Sequence, residues 1–297
     1  MEFAEPISPG SVLPPSEVVR VVVDGKEFEI TDSQTALLAS GKLWETEDGS
    51  YVLPDEWNVH PSQFSALFDL LHSKTKRPLE NFDDIASVLT LSSPSRLNLP
   101  DIYAIAKESL SSFFPHTPTP YYEFGQSEEA LVLAIEHDVK PVQKTLYYAL
   151  ITHSDIGVEG EDSSEPHEIH PILSSHPELV KTCQHLQSKL ISHFTPVLFT
   201  VSTAGHMACT DALADHWMAS VIGPALSDPT GGVSAPIEAL QKIREINWKE
   251  LDLCEECVQD KREEWKGEVD TIWEKMDEWL GIIPYRMVSS LEEHNAP

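Results

Sequence analysis

Two short stretches of this chain have the residue types and spacing to bind a metal ion. They are His206-Met207-Ala208-Cys209 and Cys254-Glu255-Glu256-Cys257. Imidazole and thiolate are the preferred donors for zinc, and a spacing of three lets a tight turn present both members of a pair to one tetrahedral ion. Together the pairs make a three-cysteine, one-histidine set for a structural zinc. The bland alternative treats the cysteines as small apolar residues at helix starts, with His206 capping or solvated in a loop. A redox role for Cys254 and Cys257 is disfavoured, because Glu255, Glu256 and Asp252 are expected to raise the thiol pKa.

Other polar groupings have simpler explanations. Asp83-Asp84 and Glu128-Glu129 fall at expected helix starts, where carboxylates meet the positive end of the helix dipole. Thr210-Asp211 reads as a helix cap, and His167-Glu168-Ile169-His170 lies in a stretch without apolar period. No phosphate loop, dinucleotide fingerprint, nucleophile elbow or His-Glu-x-x-His is present. The chain therefore reads as non-enzymatic. An enzyme with a site on the His206–Asp215 loop and the two C-terminal cysteines is the competing class.

Composition narrows the partners. Of 297 residues, 20 are Lys or Arg and 49 are Asp or Glu, for a net charge of −29. Without a basic cluster, nucleic acid and anionic membranes are disfavoured, and proteins are the expected partners. No run reaches the length of a membrane span, and the first residues lack the pattern of a secretory signal. An intracellular setting, cytoplasmic or nuclear, with reduced or metal-bound cysteines is expected.

The elements that must position these residues follow from periodicity. Residues 1–17 read as a disordered leader. A hairpin is expected from Val18 through Ile30 around Asp24-Gly25, then a short helix capped by Thr31-Asp32-Ser33 and closed by Gly41, then a strand at Tyr51-Val52-Leu53-Pro54. From Phe82 to Ser154 two copies of one pattern recur, each an apolar helix, a short break and an amphipathic helix. Residues 157–171 read as an acidic linker. Beyond them come a helix opened by His176-Pro177-Glu178, an apolar run Pro196–Val201 that suits a strand or a helix end, a helix closed by Gly223-Pro224, and a turn at Asp228–Gly232. The last helix, roughly Cys254 to Leu280, carries Trp265, Trp273 and Trp279 on one side. That stripe either closes the core of its own domain or forms a partner groove or dimer seam.

This order, with Val21–Ile30, Val52-Leu53-Pro54-Asp55, Phe64, Leu67, Leu71, Leu89-Thr90-Leu91 and Asp101–Ala106, resembles the BTB/POZ family, in particular its diverged fungal branch. Ala130–Val139 is similar to the helical extension that follows the domain there, and Leu253–Val258 with the Trp-bearing helix to the C-terminal region of such chains. The resemblance implies an α+β protein: a BTB/POZ-like α/β domain over 18–114, a helical extension over 115–156, and a mostly α-helical domain over 172–297. It also implies protein binding, with self-association, and recruitment to a cullin-type ubiquitin ligase or a transcription complex. Leu43-Trp44-Glu45 matches the apolar-x-Glu pattern of the cullin contact; exposed loop is the alternative. Where the family's first helix has a His-Lys pair and an Ala-x-x-Ser-x-x-Phe run, this chain has Thr31-Asp32-Ser33 and Ala39–Trp44, so the family's charged pocket does not carry over.

Overall fold

A computed structural model describes residues 19–30, 37, 42–73, 77–153, 175–227 and 232–282. The expected leader, the first short helix apart from Leu37, the acidic linker and most of the 228–232 turn lie outside these residues. The architecture is α+β, a small four-stranded sheet near the N-terminus with helices after it. The chain divides into two compact units, one running to Phe114 with 136–139 added, the other holding 115–135 and everything from 140 onward. The helices read as an extension thus group with the C-terminal helices, except for their connection.

In the first unit, β1 (Val19–Val23) and β2 (Lys26–Ile30) pair antiparallel. Asp24 and Gly25 both take positive φ (46° and 77°), the conformation a two-residue hairpin turn needs to follow the strand twist. β3 (Trp44–Glu45) pairs antiparallel with β4 (Tyr51–Val52), and β4 lies parallel beside β1, giving the order β2-β1-β4-β3. Val19, Val21 and Val23 point inward while Arg20 points to solvent, the period-two alternation of a half-covered sheet.

Among the described residues, three longer helices follow in this unit. α1 (Pro61–His72) begins with a reciprocal cap, in which the Gln63 side chain accepts from the His60 amide and the His60 ring accepts from Ser62. It packs Phe64 edge-on against Phe28 of the sheet, 4.8 Å between centroids. α2 (Phe82–Ser92), capped by Asn81, lies between α1 and α3 (Pro100–Phe113). Ile85, Val88, Leu89, Ala106 and Leu110 are fully buried, as the three-and-four spacing requires.

The second unit is helical: α4 (Ser127–Glu136), α5 (Lys140–His153), α6 (Pro177–Phe199), α7 (Met207–Trp217), α8 (Gly223–Ser227), α9 (Pro236–Glu245) and α10 (Glu255–Trp279). Of the two forms expected for the run from Pro196, the structure has the helix end: Pro196 lies inside α6, whose last turns stay anchored by buried Phe194 and Leu198. One expectation is corrected here. Gly223-Pro224 does not end its helix. Between α7 and α8 the chain makes a widened turn, Met218–Ile222, where the Gly223 amide bonds to the Met218 carbonyl, and the helical path continues through the proline.

No helix among the described residues is long and apolar enough to cross a membrane.

Candidate metal centre

His206 and Cys254 are the capping residues of α7 and α10, each with extended backbone just before its helix. Their carbonyls accept the first helical bonds, from the amides of Thr210 and Val258 at 3.0 Å each. Cys209 and Cys257 follow three residues on, in the first turn. A cap residue and the third residue after it project to the same side of a helix start, so each helix presents its pair together.

The two helix starts converge. One ligand atom from each of His206, Cys209, Cys254 and Cys257 lies within 4.8 Å of all the others. His206 Nδ1 lies 3.3 Å from Cys254 Sγ and 3.4 Å from Cys257 Sγ, and the Cys254 amide donates to Cys209 Sγ at 3.5 Å. With zinc bonds of about 2.3 Å to sulfur and about 2.0 Å to nitrogen, a tetrahedron has edges of about 3.8 Å between sulfurs and about 3.5 Å between sulfur and nitrogen. The four side chains therefore have the donor chemistry and nearly the spacing of a tetrahedral site, and the arrangement is compatible with a structural metal.

The loop before α7 is held by Thr210. Its hydroxyl accepts from the Ala204 amide at 2.9 Å, across the turn that sets the His206 backbone. Thr210 and Asp211 are thus not the cap of this helix, as their residue types suggested, but lie inside it, because the helix starts one turn earlier at His206. Asp211 and Asp215 face solvent.

The electrostatics also correct the sequence reading. The Cys254 thiol is pushed down to about 7, chiefly by the Cys257 backbone amide and then by the His206 ring and the Cys257 side chain. Cys257 is shifted upward by burial, and His206 upward by its bond to Cys254. The remaining cysteine, Cys183, is fully buried in α6, where burial raises its thiol to about 12. It takes no part in the centre.

Below the centre lies an aromatic core. Trp217 of α7, Trp265 of α10 and Trp248 of the preceding loop stand 5.6–6.2 Å apart, centroid to centroid. The Trp217 and Trp248 indoles donate to the carbonyls of Leu198 and Ile243. Trp265 and Trp273 are buried within their own unit, so those two positions serve the unit's core and are not exposed anchors. Trp273 donates to the His116 carbonyl at 3.2 Å and meets the Tyr148 ring and the Lys144 ammonium. Trp279 is half-buried at the end of α10, edge-on to His193. In the first unit, Leu43 is buried while Trp44 and Glu45 are exposed on β3, so Leu43 is a core residue rather than a surface contact.

Sequence reasoning passed over the buried pair Tyr148 and Glu238. The Tyr148 hydroxyl donates to Glu238 at 2.5 Å and accepts from the Ile237 amide at 3.0 Å, while the Tyr121 amide donates to the other Glu238 oxygen at 3.1 Å. No spacing in the sequence links positions 90 residues apart.

Compared with family models, curated proteins and solved structures, the chain gave no match.

Proposed function

We propose that this chain is a non-enzymatic protein-interaction protein, with a BTB/POZ-like binding module as its first unit and a zinc-clasped helical domain as its second. The observation that carries the zinc reading is the completeness of the donor set. Three thiolates and one imidazole fill a tetrahedral sphere and leave no position for water or substrate, which is the pattern of structural rather than catalytic zinc. Both helix starts also direct their positive ends at the thiolates, favouring the charged form that binds metal.

Support for the BTB-like reading comes from the first unit. Its hairpin β1–β2, the strand β4 returning beside β1, and α1 seating Phe64 on Phe28 occur in the order that the resemblance implies. On this reading the surface of the first unit binds a second copy of the chain or another protein, while the second unit keeps its tryptophan stripe for its own core.

Two measurements on the full chain test the two halves. Elemental analysis should find close to one zinc per chain; metal-free, fully folded protein rejects the clasp. Light scattering across a dilution series should show a concentration-dependent mass; a strictly monomeric chain that captures no protein from its native cell rejects the interaction module.

A further inference from the structure

The four donors differ sharply in access. Cys209 and Cys257 are 4% and 1% exposed, whereas Cys254 is exposed at the cap of α10. A reagent arriving from solvent therefore meets one sulfur first. Immediately inside lies Cys257, in the first turn of the same helix, with its Sγ among ligand atoms all within 4.8 Å. An accessible cysteine thiolate beside a second thiol is the arrangement in which oxidation proceeds to a disulfide instead of stopping at a single sulfur.

We propose that Cys254 is an oxidation site, at which a small neutral hydroperoxide opens the zinc centre with Cys257 as the resolving thiol. This rests on the zinc reading above. The Cys254 thiolate attacks one peroxide oxygen; the O–O bond breaks, Cys254 becomes a sulfenic acid, and the other oxygen leaves as hydroxide. The Cys257 thiolate then attacks the Cys254 sulfur, the S–S bond forms, and the sulfenic oxygen leaves as a second hydroxide. Two electrons pass from the sulfur pair to the peroxide, and the hydroxides take up two protons to become water. Cys254 and Cys257 are thereby lost as ligands. Cys209 and His206 are left as two donors, too few to hold zinc tightly.

The surroundings select the oxidant. Asp252, Glu255, Glu256 and Asp260 are all exposed around the α10 start, with Lys249 paired to Glu255. This excess of negative charge repels anionic disulfides such as oxidised glutathione and leaves uncharged peroxide unaffected. Resolution by Cys257 rather than Cys209 follows from the chain. Cys254 and Cys257 belong to one helix start and need only side-chain rotation, whereas a bond to Cys209 ties two helices.

The test uses full-length, zinc-loaded protein treated with hydrogen peroxide in the presence of a chromogenic zinc chelator. Zinc should be released in proportion to the peroxide consumed. Trypsin cuts after Lys249 and Lys261 but nowhere between, so the expected disulfide lies inside one peptide, Glu250–Lys261, and appears as the loss of two hydrogens. Thiol reductant with added zinc should restore the loaded state. A sulfenic-acid trap such as dimedone, added together with the peroxide, should label Cys254 ahead of the buried Cys209 and Cys257. Zinc that stays bound under peroxide, or a bond from Cys254 to Cys209, overturns the proposal while leaving the metal reading intact. Failure of untreated protein to bind zinc overturns both. Labelling of Cys209 or Cys257 ahead of Cys254 also overturns the assignment of Cys254.

Discussion

The indoles of Trp217 and Trp265 lie 6.2 Å apart, and each stands eight residues beyond a cysteine of the metal centre, Cys209 on α7 and Cys257 on α10. Eight residues are about 12 Å of helix, so α7 and α10 share side-chain contacts at the ligands and again, through the indoles, two turns later. The chain thus contains His-x-x-Cys and Cys-x-x-Cys segments with a tryptophan at the same distance from each. The helix starts that meet at the ligands bring two positive ends together, an arrangement that thiolates between them offset.

Removing one ligand should therefore loosen more than the ion. Cys257→Ser is expected to abolish stoichiometric zinc binding and to lower the melting temperature of the second unit, because metal-binding free energy is also folding free energy. A chelator should do the same to the wild-type chain and add little to the variant. Unchanged melting of the variant, measured with and without zinc, would refute the coupling.

Trp248 is fully buried and packs against both Trp217 and Trp265. Trp248→Ala should cost roughly 3–5 kcal/mol in urea denaturation, the usual range for an aromatic deleted from a packed core. A loss under about 1 kcal/mol would mean that the neighbours collapse into the space.

Trp273 distinguishes core from interface. With its indole bonded to the His116 carbonyl and its ring on Tyr148, Trp273→Ala should destabilise by roughly 3–5 kcal/mol. A variant of wild-type stability that loses a partner in sedimentation would place this side chain at a binding surface instead.

Tyr148 sets a limit at alkaline pH. Burial first, then the charge of Glu238, hold its hydroxyl pKa well above the ordinary 10.0. The folded chain keeps the proton where the unfolded chain releases it, so the contribution to stability is complete below about pH 10 and is lost as pH rises further. Denaturation midpoints followed from about pH 8 to about pH 11 should fall more steeply for wild type than for Tyr148→Phe. At neutral pH that variant should cost about 1–3 kcal/mol, since it strands the Ile237 amide and a Glu238 oxygen. Parallel pH curves would exclude the role.

Sequence alone determined what depends on near neighbours. The hairpin at Asp24-Gly25, the helices with apolar faces at steps of three and four, and the x-x spacing of each ligand pair all follow from local backbone preferences and side-chain periodicity. Tertiary structure alone decided which distant groups meet. Cys209 and Cys254 are 45 residues apart, and only the packing of α7 and α10 around three tryptophans brings their pairs together. The same packing directs Trp265 and Trp273 inward, which periodicity left open between core and partner. The acidity of Cys254 belongs to this second class. Counting neighbouring carboxylates gave the wrong sign, because a thiol responds to the nearest amide and ring, and those are positioned by the helix start and by a loop from elsewhere in the chain.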